Sequence, residues 1–101
     1  MTYAKRVDVN QLEITKVLRK MGCQVHVTSS LGAGYPDLNV SLGEGKLFLV
    51  EIKDGSKPPS ARKLTPAEQK FFDSWGAHCV ILTSVDDAIE FFNREIKPCN
   101  G

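Results

Sequence analysis

A glycine-flanked turn at Gly43, Glu44 and Gly45 constrains the fold of this chain more than any other feature. The segments on either side of the turn, residues 37–42 and 46–53, have the composition of β-strands. A three-residue loop containing glycine is a common connection between antiparallel strands, so the sequence predicts a β-hairpin here. If the hairpin is symmetric about Glu44, Asp37 lies opposite Glu51.

This register puts two carboxylates side by side on one face of the hairpin. Opposed Cβ atoms lie about 4.5–5.5 Å apart, and like charges in that position are destabilising unless something compensates them. A divalent cation would compensate. Lys53 points the same way as Glu51, because side chains two apart share a face. A slip of one residue would separate the carboxylates. The other face carries the expected core residues Leu38, Val40, Phe48, Val50 and Ile52.

Two carboxylates, a neighbouring backbone carbonyl and several waters are the ligands that Mg²⁺ prefers. A nearby lysine could orient or help deprotonate the attacking water, or neutralise charge on a phosphate. Each of the two short sequences is ordinary by itself. An E-x-K sequence in a strand, like Glu51-Ile52-Lys53, commonly forms a surface ion pair, and a P-D sequence, like Pro36-Asp37, commonly marks a turn. Together, on one hairpin, they favour a site for phosphodiester hydrolysis.

The rest of the chain supplies helices around this hairpin. Asp8 and Gly22 bound a predicted first helix, residues 8–21, and a strand follows at residues 23–28. Thr65, Pro66 and Glu68 form a helix start with a capping box, and that helix runs to Trp75. The remaining predicted elements are a loop at residues 29–36, a basic mobile loop at residues 54–63, an interior strand at residues 78–84, and a last helix that Ser84 caps, with Ala88, Ile89 and Phe92 facing inward and an end near Lys97 and Pro98.

The predicted order is therefore αβββαβα, in one α/β (α+β) domain covering residues 1–101. The net charge of +1 gives no general basic field, so nucleic-acid binding would need local patches or metal ions. No segment is apolar enough to span a bilayer and the N-terminus lacks the core of a signal peptide, so no membrane association and a cytoplasmic location are expected. The cysteines and histidines read as structural or incidental residues: Cys23, Cys79, Cys99, His26 and His78.

The hairpin residues also match a known family. Gly34, Pro36 and Asp37, followed by Glu51-Ile52-Lys53, resemble the PD-(D/E)XK nuclease signature. The stretch LTPAEQKFFDSWGAHCVILTSVDDAIEFF resembles the second half of VRR-NUC domains, in which a glutamine-bearing helix precedes a strand and a short capped helix. The resemblance runs from about residue 8 to residue 92. The chain is similar to the small stand-alone versions of this domain that are found in phages.

The resemblance implies a restriction-endonuclease-like core, a mixed sheet flanked by helices. It further implies Mg²⁺- or Mn²⁺-dependent cleavage of DNA, including branched DNA, by a homodimer like the Holliday junction resolvases. For a phage protein, the location would be the cytoplasm of a bacterial host. By position, the implied roles are metal ligation by Asp37, Glu51 and the Ile52 carbonyl, catalysis by Lys53, support from Gln69, and a further acidic contribution to the metal site from Glu13.

One departure from the family concerns the loop before Asp37. A basic residue often stands there, whereas this chain has Ser29, Ser30 and Leu31, so one phosphate contact would be missing or supplied from elsewhere. Residues Lys57, Arg62 and Lys63 in the loop after the catalytic strand could hold the nucleic-acid backbone, or the loop could be a solvated linker.

Three alternatives stay open at this point. The aromatic residues Phe71, Phe72 and Trp75 could stack on bases, although their helical spacing favours packing in the core or a dimer interface. The chain could also be a nucleic-acid or junction-binding module that keeps the fold with little or no catalysis. A plain structural domain, which needs neither metal nor DNA, is the third possibility.

Overall fold

The computed structural model describes residues 9–96, apart from the side chain of Ala77. The predicted cap Asp8, the predicted end at Lys97 and Pro98, and Cys99 lie outside the described residues. Three helices and four strands follow one another in the order αβββαβα, which confirms the predicted order. The elements are α1 (Val9–Lys20), β1 (Gln24–Val27), β2 (Leu38–Gly43), β3 (Lys46–Ile52), α2 (Pro66–Trp75), β4 (Cys79–Leu82) and α3 (Val85–Ile96).

The four strands form one mixed sheet in the order β1-β2-β3-β4. The first three are antiparallel, and β4 runs parallel to β3 with α2 in the connection between them. The expectation that β4 lies inside the sheet is wrong, because it is an edge strand. Ile81 is 40% exposed whereas Leu82 is 3% exposed. Because the exposed position carries an apolar residue, the sequence of β4 does not show the alternation of buried and exposed positions that is typical of an edge strand.

The turn between β2 and β3 differs from the predicted loop, yet the predicted register is confirmed. Gly43 pairs with Lys46, so the loop has two residues, Glu44 and Gly45, both with positive φ (53° and 81°). Such a turn alone would shift the pairing by one residue. An irregularity between Ser41 and Gly43 restores it, and the pairs are Leu38 with Val50, Asn39 with Leu49, Val40 with Phe48 and Ser41 with Leu47.

Helices α1 and α3 cover the face of the sheet that carries Val40 and Val50. Ile14 and Leu18 of α1 and Phe91 of α3 are fully buried there. The predicted cap Ser84 is confirmed, since its Oγ accepts a hydrogen bond from the backbone of Asp87 (3.0 Å). The expectation that Phe92 faces the core is only partly right: Phe91 is the buried ring, packed edge-on against Phe48 at 5.1 Å, and Phe92 is half-buried.

Several smaller features depart from expectation. The loop of residues 29–36 contains a 3₁₀ turn at Ser29–Leu31, and the basic loop contains another at Pro59–Arg62. His26 and His78, predicted to be satisfied structural histidines, are both exposed, whereas Cys23 is a buried free thiol as predicted. Within residues 9–96, no helix is long and apolar enough to cross a bilayer.

Helix α2 packs on the opposite face of the sheet, where Glu51 lies, and none of its residues is buried. Its predicted start is confirmed: Thr65 caps it, with Pro66 in the first turn, and Glu68 completes the capping box. Gly34, in the loop before β2, touches its first turn, because a Cβ on Gly34 would lie 2.4 Å from the Ala67 carbonyl oxygen. The residues before β2 are thereby held against α2.

Two glycine substitutions distinguish the effect of this close contact on stability from the effect of backbone strain. Gly32 and Gly34 both have positive φ (73° and 83°), but a Cβ on Gly32 would meet nothing within 4 Å. Gly32→Ala is expected to lower the free energy of unfolding by about 1–2 kcal/mol from strain. Gly34→Ala should lower it by ~1–3 kcal/mol more, because the Ala67 backbone must move. Urea unfolding of both variants checks this, and equal losses would show that α2 does not press on Gly34.

Candidate active site

Asp37 stands immediately before β2 and is bonded to two other strands. Its backbone carbonyl accepts a hydrogen bond from Thr28 N (2.7 Å), at the end of β1. Its carboxylate Oδ2 accepts one from Ile52 N (2.8 Å), at the end of β3. The Thr28 hydroxyl also donates to the Pro36 carbonyl (2.8 Å). The Pro36-Asp37 segment is therefore anchored with its carboxylate directed at the C-terminal end of β3.

Glu51 and Lys53 project from that same end of β3. Glu51 is 5% exposed, which is unusual for a glutamate. Lys53 Nζ lies 3.6 Å from Glu51 Oε2. The register of β2 with β3 continues to Asp37 and Glu51, so the structure brings together Asp37, Glu51 and Lys53 as the sequence predicts.

Glu68 joins this cluster from α2. Its Oε1 accepts a hydrogen bond from Lys53 Nζ (2.8 Å) and one from the Thr65 backbone (2.8 Å). Nothing in the local sequence marks Glu68 as a site residue, because the capping box already accounts for a glutamate at this position. The same oxygen therefore caps α2 and holds the lysine, which couples the start of the helix to the site.

The carboxyl groups of the cluster cannot all be ionised in the absence of a cation. Burial, followed by the negative charges of Asp37 and Glu68, raises the pKa of Glu51 to about 9. Burial also raises the pKa of Asp37, although hydrogen bonds from Ile52 and Glu51 oppose that shift. Glu51 is thus protonated at neutral pH, and its one O–H can donate to a neighbouring carboxylate.

Lys53 and Glu68 form the ionised pair within the cluster. Burial alone would lower the pKa of Lys53, but the hydrogen bond and charge of Glu68, with the charge of Glu51, outweigh it and raise that pKa. Burial likewise acts to raise the pKa of Glu68, and hydrogen bonds from Lys53, Thr65 and Glu51 overcome it, so the pKa is lowered. The lysine is therefore held in its charged form.

The donor set suits a hard divalent cation. Within residues 9–96 no group of three or more His, Cys, Asp or Glu side chains is arranged to hold a metal ion. Mg²⁺ does not need such a cage, since it commonly binds one or two carboxylates and keeps several waters. Here Glu51 is buried beside the partly buried Asp37, and a proton on Glu51 removes the repulsion between the two carboxyl groups. A divalent cation could replace that proton, so the two carboxylates suit such an ion.

The other residues predicted for the site, Gln69 and Glu13, form no ion pair with this cluster. Gln69 is exposed, and its Nε2 donates to Asp73 Oδ1 (2.9 Å) instead of approaching Lys53. Glu13 is exposed on α1 and forms no ion pair with any residue between 9 and 96. Their site roles stay predictions.

The basic loop after β3 is folded on itself. Arg62 Nε donates to the Lys57 carbonyl (2.8 Å), and Asp54 accepts from both the backbone and the hydroxyl of Ser56. Lys57 and Lys63 are exposed, so both ammonium groups are accessible to an anionic partner. Contact of this loop with a nucleic-acid backbone stays a prediction.

Asn10 supports the site from α1. Its Nδ2 donates to the Lys53 carbonyl (3.0 Å) and to the Thr83 carbonyl (2.9 Å), where β3 and β4 end. The Lys53 backbone N–H donates to the Leu82 carbonyl (3.1 Å), which continues the parallel ladder. An asparagine in the first turn of a helix carries no sequence signal for such a role, because the carbonyls that it joins are distant in the chain.

Matched threonine substitutions test the anchoring of the Pro36-Asp37 segment. Thr28 and Thr15 are both 6% exposed, but the Thr28 hydroxyl donates to Pro36 whereas the Thr15 hydroxyl has no hydrogen-bond partner among residues 9–96. Thr28→Val should lower the free energy of unfolding by about 1–3 kcal/mol, since it leaves a carbonyl without its donor. Thr15→Val should be neutral or stabilising by up to ~1 kcal/mol. Urea unfolding decides, and a similar loss in both would argue against this anchor.

The fold is a mixed sheet whose central hairpin carries Asp37, Glu51 and Lys53, with Glu68 joining them from the neighbouring helix. A solved structure described as a VRR_NUC domain is similar, with a TM-score of 0.60 and 23% sequence identity over 89% of this chain and 95% of that chain. The chain therefore has the fold of a VRR-NUC domain. No family model matches the sequence, and no curated protein matches it either.

Proposed function

We propose that this protein is a Mg²⁺- or Mn²⁺-dependent endonuclease that hydrolyses phosphodiester bonds in DNA, with branched DNA as its preferred substrate. The observation that carries the proposal is the pair of the buried Glu51 and the partly buried Asp37 beside Lys53, on a VRR-NUC fold. Two neighbouring carboxylates that are shielded from water repel each other when ionised, which favours a functional reason for the pair over a stabilising one.

Asp37, Glu51 and the Ile52 carbonyl would hold the cation. When bound, it supplies Lewis-acid stabilisation of the charge that develops on the phosphate. The Ile52 backbone N–H fixes Asp37 Oδ2 at 2.8 Å, so this carboxylate is oriented before any ligand binds. The protein's own contribution at this point is preorganisation of two oxygen ligands at the end of β3.

Lys53 acts as a donor and an electrostatic stabiliser. Its raised pKa keeps the ammonium protonated at neutral pH, which supports donation to a phosphate oxygen or to the attacking water more than removal of a proton from that water. Glu68 positions the ammonium at 2.8 Å. Because charges interact more strongly where water is partly excluded, the partial burial of Lys53 strengthens its effect on a phosphate.

Two copies would suit a branched substrate. One copy has one such cluster among its described residues and spans a short stretch of DNA, whereas a two-fold dimer would present two sites. We accordingly propose a homodimer acting on both strands of a junction.

The experiment that tests this function is cleavage of a labelled panel of DNAs: linear duplex, single strand, flap and four-way junction. Each is incubated with Mg²⁺, Mn²⁺ or EDTA. Cutting that requires metal and is fastest on branched DNA is the expected result. Binding of the junction without cutting under any metal would assign the chain to the non-catalytic binding modules instead.

A further inference from the structure

A row of three aromatic rings lies on the surface beside the candidate active site. The rings of Phe71 and Trp75 are stacked, with centroids 5.2 Å apart and an interplanar angle of 4°. Tyr35 meets Phe71 edge-on at 5.0 Å. Trp75 is 52% exposed. Trp75 therefore does not pack in the core, which leaves the dimer interface of the two packing predictions, and its indole offers a flat apolar surface to solvent.

The orientation of this surface is fixed by the fold. Phe71 lies against one face of the indole and Tyr35 against Phe71, while Gly76 ends α2 with its N–H bonded to the Phe72 carbonyl (C-cap of the helix). A ring that is already held in position loses little conformational entropy when a ligand stacks on it. The surface is thus suited to a flat ligand.

The groove beside the rings carries one charge, and it is positive. Its lining consists of Ala33, Ala67, Lys70, Phe71, Ser74 and Trp75. Lys70 is exposed, and its ammonium forms no ion pair with any other residue between 9 and 96. A flat apolar surface next to a free cation is complementary to a nucleotide, whose base has a π-face and whose phosphate is anionic.

The row is continuous with the candidate active site. Tyr35 is two residues before Asp37 in the chain, and Glu68, which holds Lys53, lies on the same helix as Phe71. From Glu68 to Trp75 the helix rises about 10 Å. A strand with one phosphate at the site would therefore carry a neighbouring nucleotide to these rings.

We propose that Trp75, held in place by Phe71 and Tyr35, is a stacking platform for an unpaired base next to the scissile phosphate, with Lys70 contacting the phosphate of that nucleotide. The inference rests on the proposed nuclease function and adds a substrate class to it: DNA with a single-stranded segment at the cleavage point. A second copy of the chain is the alternative occupant, which the measurements below distinguish from a nucleotide.

Trp75 is the only tryptophan in the chain, so intrinsic tryptophan fluorescence reports on this platform directly. The test is a titration of the native protein in EDTA, which prevents cleavage, with two single-stranded DNAs of equal length: an oligothymidylate and a base-free backbone. The oligothymidylate should quench the fluorescence and the base-free strand should not. By fluorescence anisotropy of labelled oligothymidylate, Trp75→Leu should bind roughly tenfold more weakly or worse.

Lys70→Ala should weaken binding of both strands, whereas the control Lys20→Ala, exposed at the end of α1, should bind like the native protein. Unchanged fluorescence while anisotropy shows that oligothymidylate binds would overturn the platform and leave the nuclease proposal intact. Failure to bind or cut any DNA, including junctions with Mg²⁺ or Mn²⁺, would overturn both. A dimer, detected by sedimentation without DNA and lost in Trp75→Leu, would assign the surface to a second copy and also overturn the platform.

Discussion

Glu51→Gln is expected to abolish cleavage while it stabilises the metal-free protein. Loss of one of two carboxylate ligands should lower the cleavage rate by at least about a thousandfold, because the cation contributes several kcal/mol to the transition state. Glutamine has the size of a protonated glutamate and can donate the same hydrogen bonds, so the buried cluster loses an acid that must otherwise be kept neutral. Activity and stability should therefore change in opposite directions.

The sign of the stability effect follows from the pKa of Glu51. It is raised from 4.5 to about 9 in the folded protein, so between these pH values the folded state holds a proton that the unfolded state has lost. The contribution of Glu51 to stability is greatest below pH 4.5 and falls as the pH rises toward 9. At pH 7 the accumulated loss is about 3 kcal/mol.

Urea unfolding in EDTA at several pH values measures this loss. The difference in free energy of unfolding between Glu51→Gln and the native protein should be small near pH 5 and should grow toward pH 9. Glu90→Gln, an exposed glutamate on α3, is the matched control and should show no such trend. If the difference in free energy of unfolding between Glu51→Gln and the native protein is the same at pH 8.5 as at pH 5, Glu51 is not a buried protonated carboxyl group.

Lys53→Met is expected to lose cleavage without losing the cation. Removing one preorganised donor from a buried site costs about 10²–10³ in rate. Asp37 and Glu51 stay in place in this variant, so Mg²⁺ or Mn²⁺ should still raise its melting temperature, as binding to the folded state alone requires. In Glu51→Gln the same shift should be strongly reduced, which separates the role of the lysine from that of a ligand.

The control for this variant is Lys16→Met. It makes the same chemical change at an exposed position of α1, away from the site. It should keep native cleavage, and circular dichroism should show that both variants are folded. If Lys53→Met cuts at the native rate, its catalytic assignment is wrong. If it also loses the metal-induced shift, Lys53 serves mainly to hold the carboxylates in position.

The sequence by itself determined the features that depend on neighbours along the chain. The capping box of Thr65 and Glu68 joins residues three apart, so α2 begins where the sequence predicts. The apolar alternation of β2 and the position of the glycine-flanked turn predict the hairpin register, and the bulge near Ser41 corrects the shift that the two-residue turn introduces. Asp37 and Glu51 are consequently adjacent, and no distant part of the chain is needed to explain why.

Only the tertiary structure decided the features that depend on how the helices lie against the sheet. Phe91 and Phe92 are equally apolar neighbours, and the tilt of α3 over Phe48 selects the first for the core. The apolar run of β4 fits an interior or an edge strand equally well, because Ile81 masks the exposed face. Glu68 reaches Lys53, and Asn10 joins the ends of β3 and β4, across sequence separations of 15, 43 and 73 residues. Such contacts leave no local pattern, since each depends on the packing of whole elements rather than on the residues beside it.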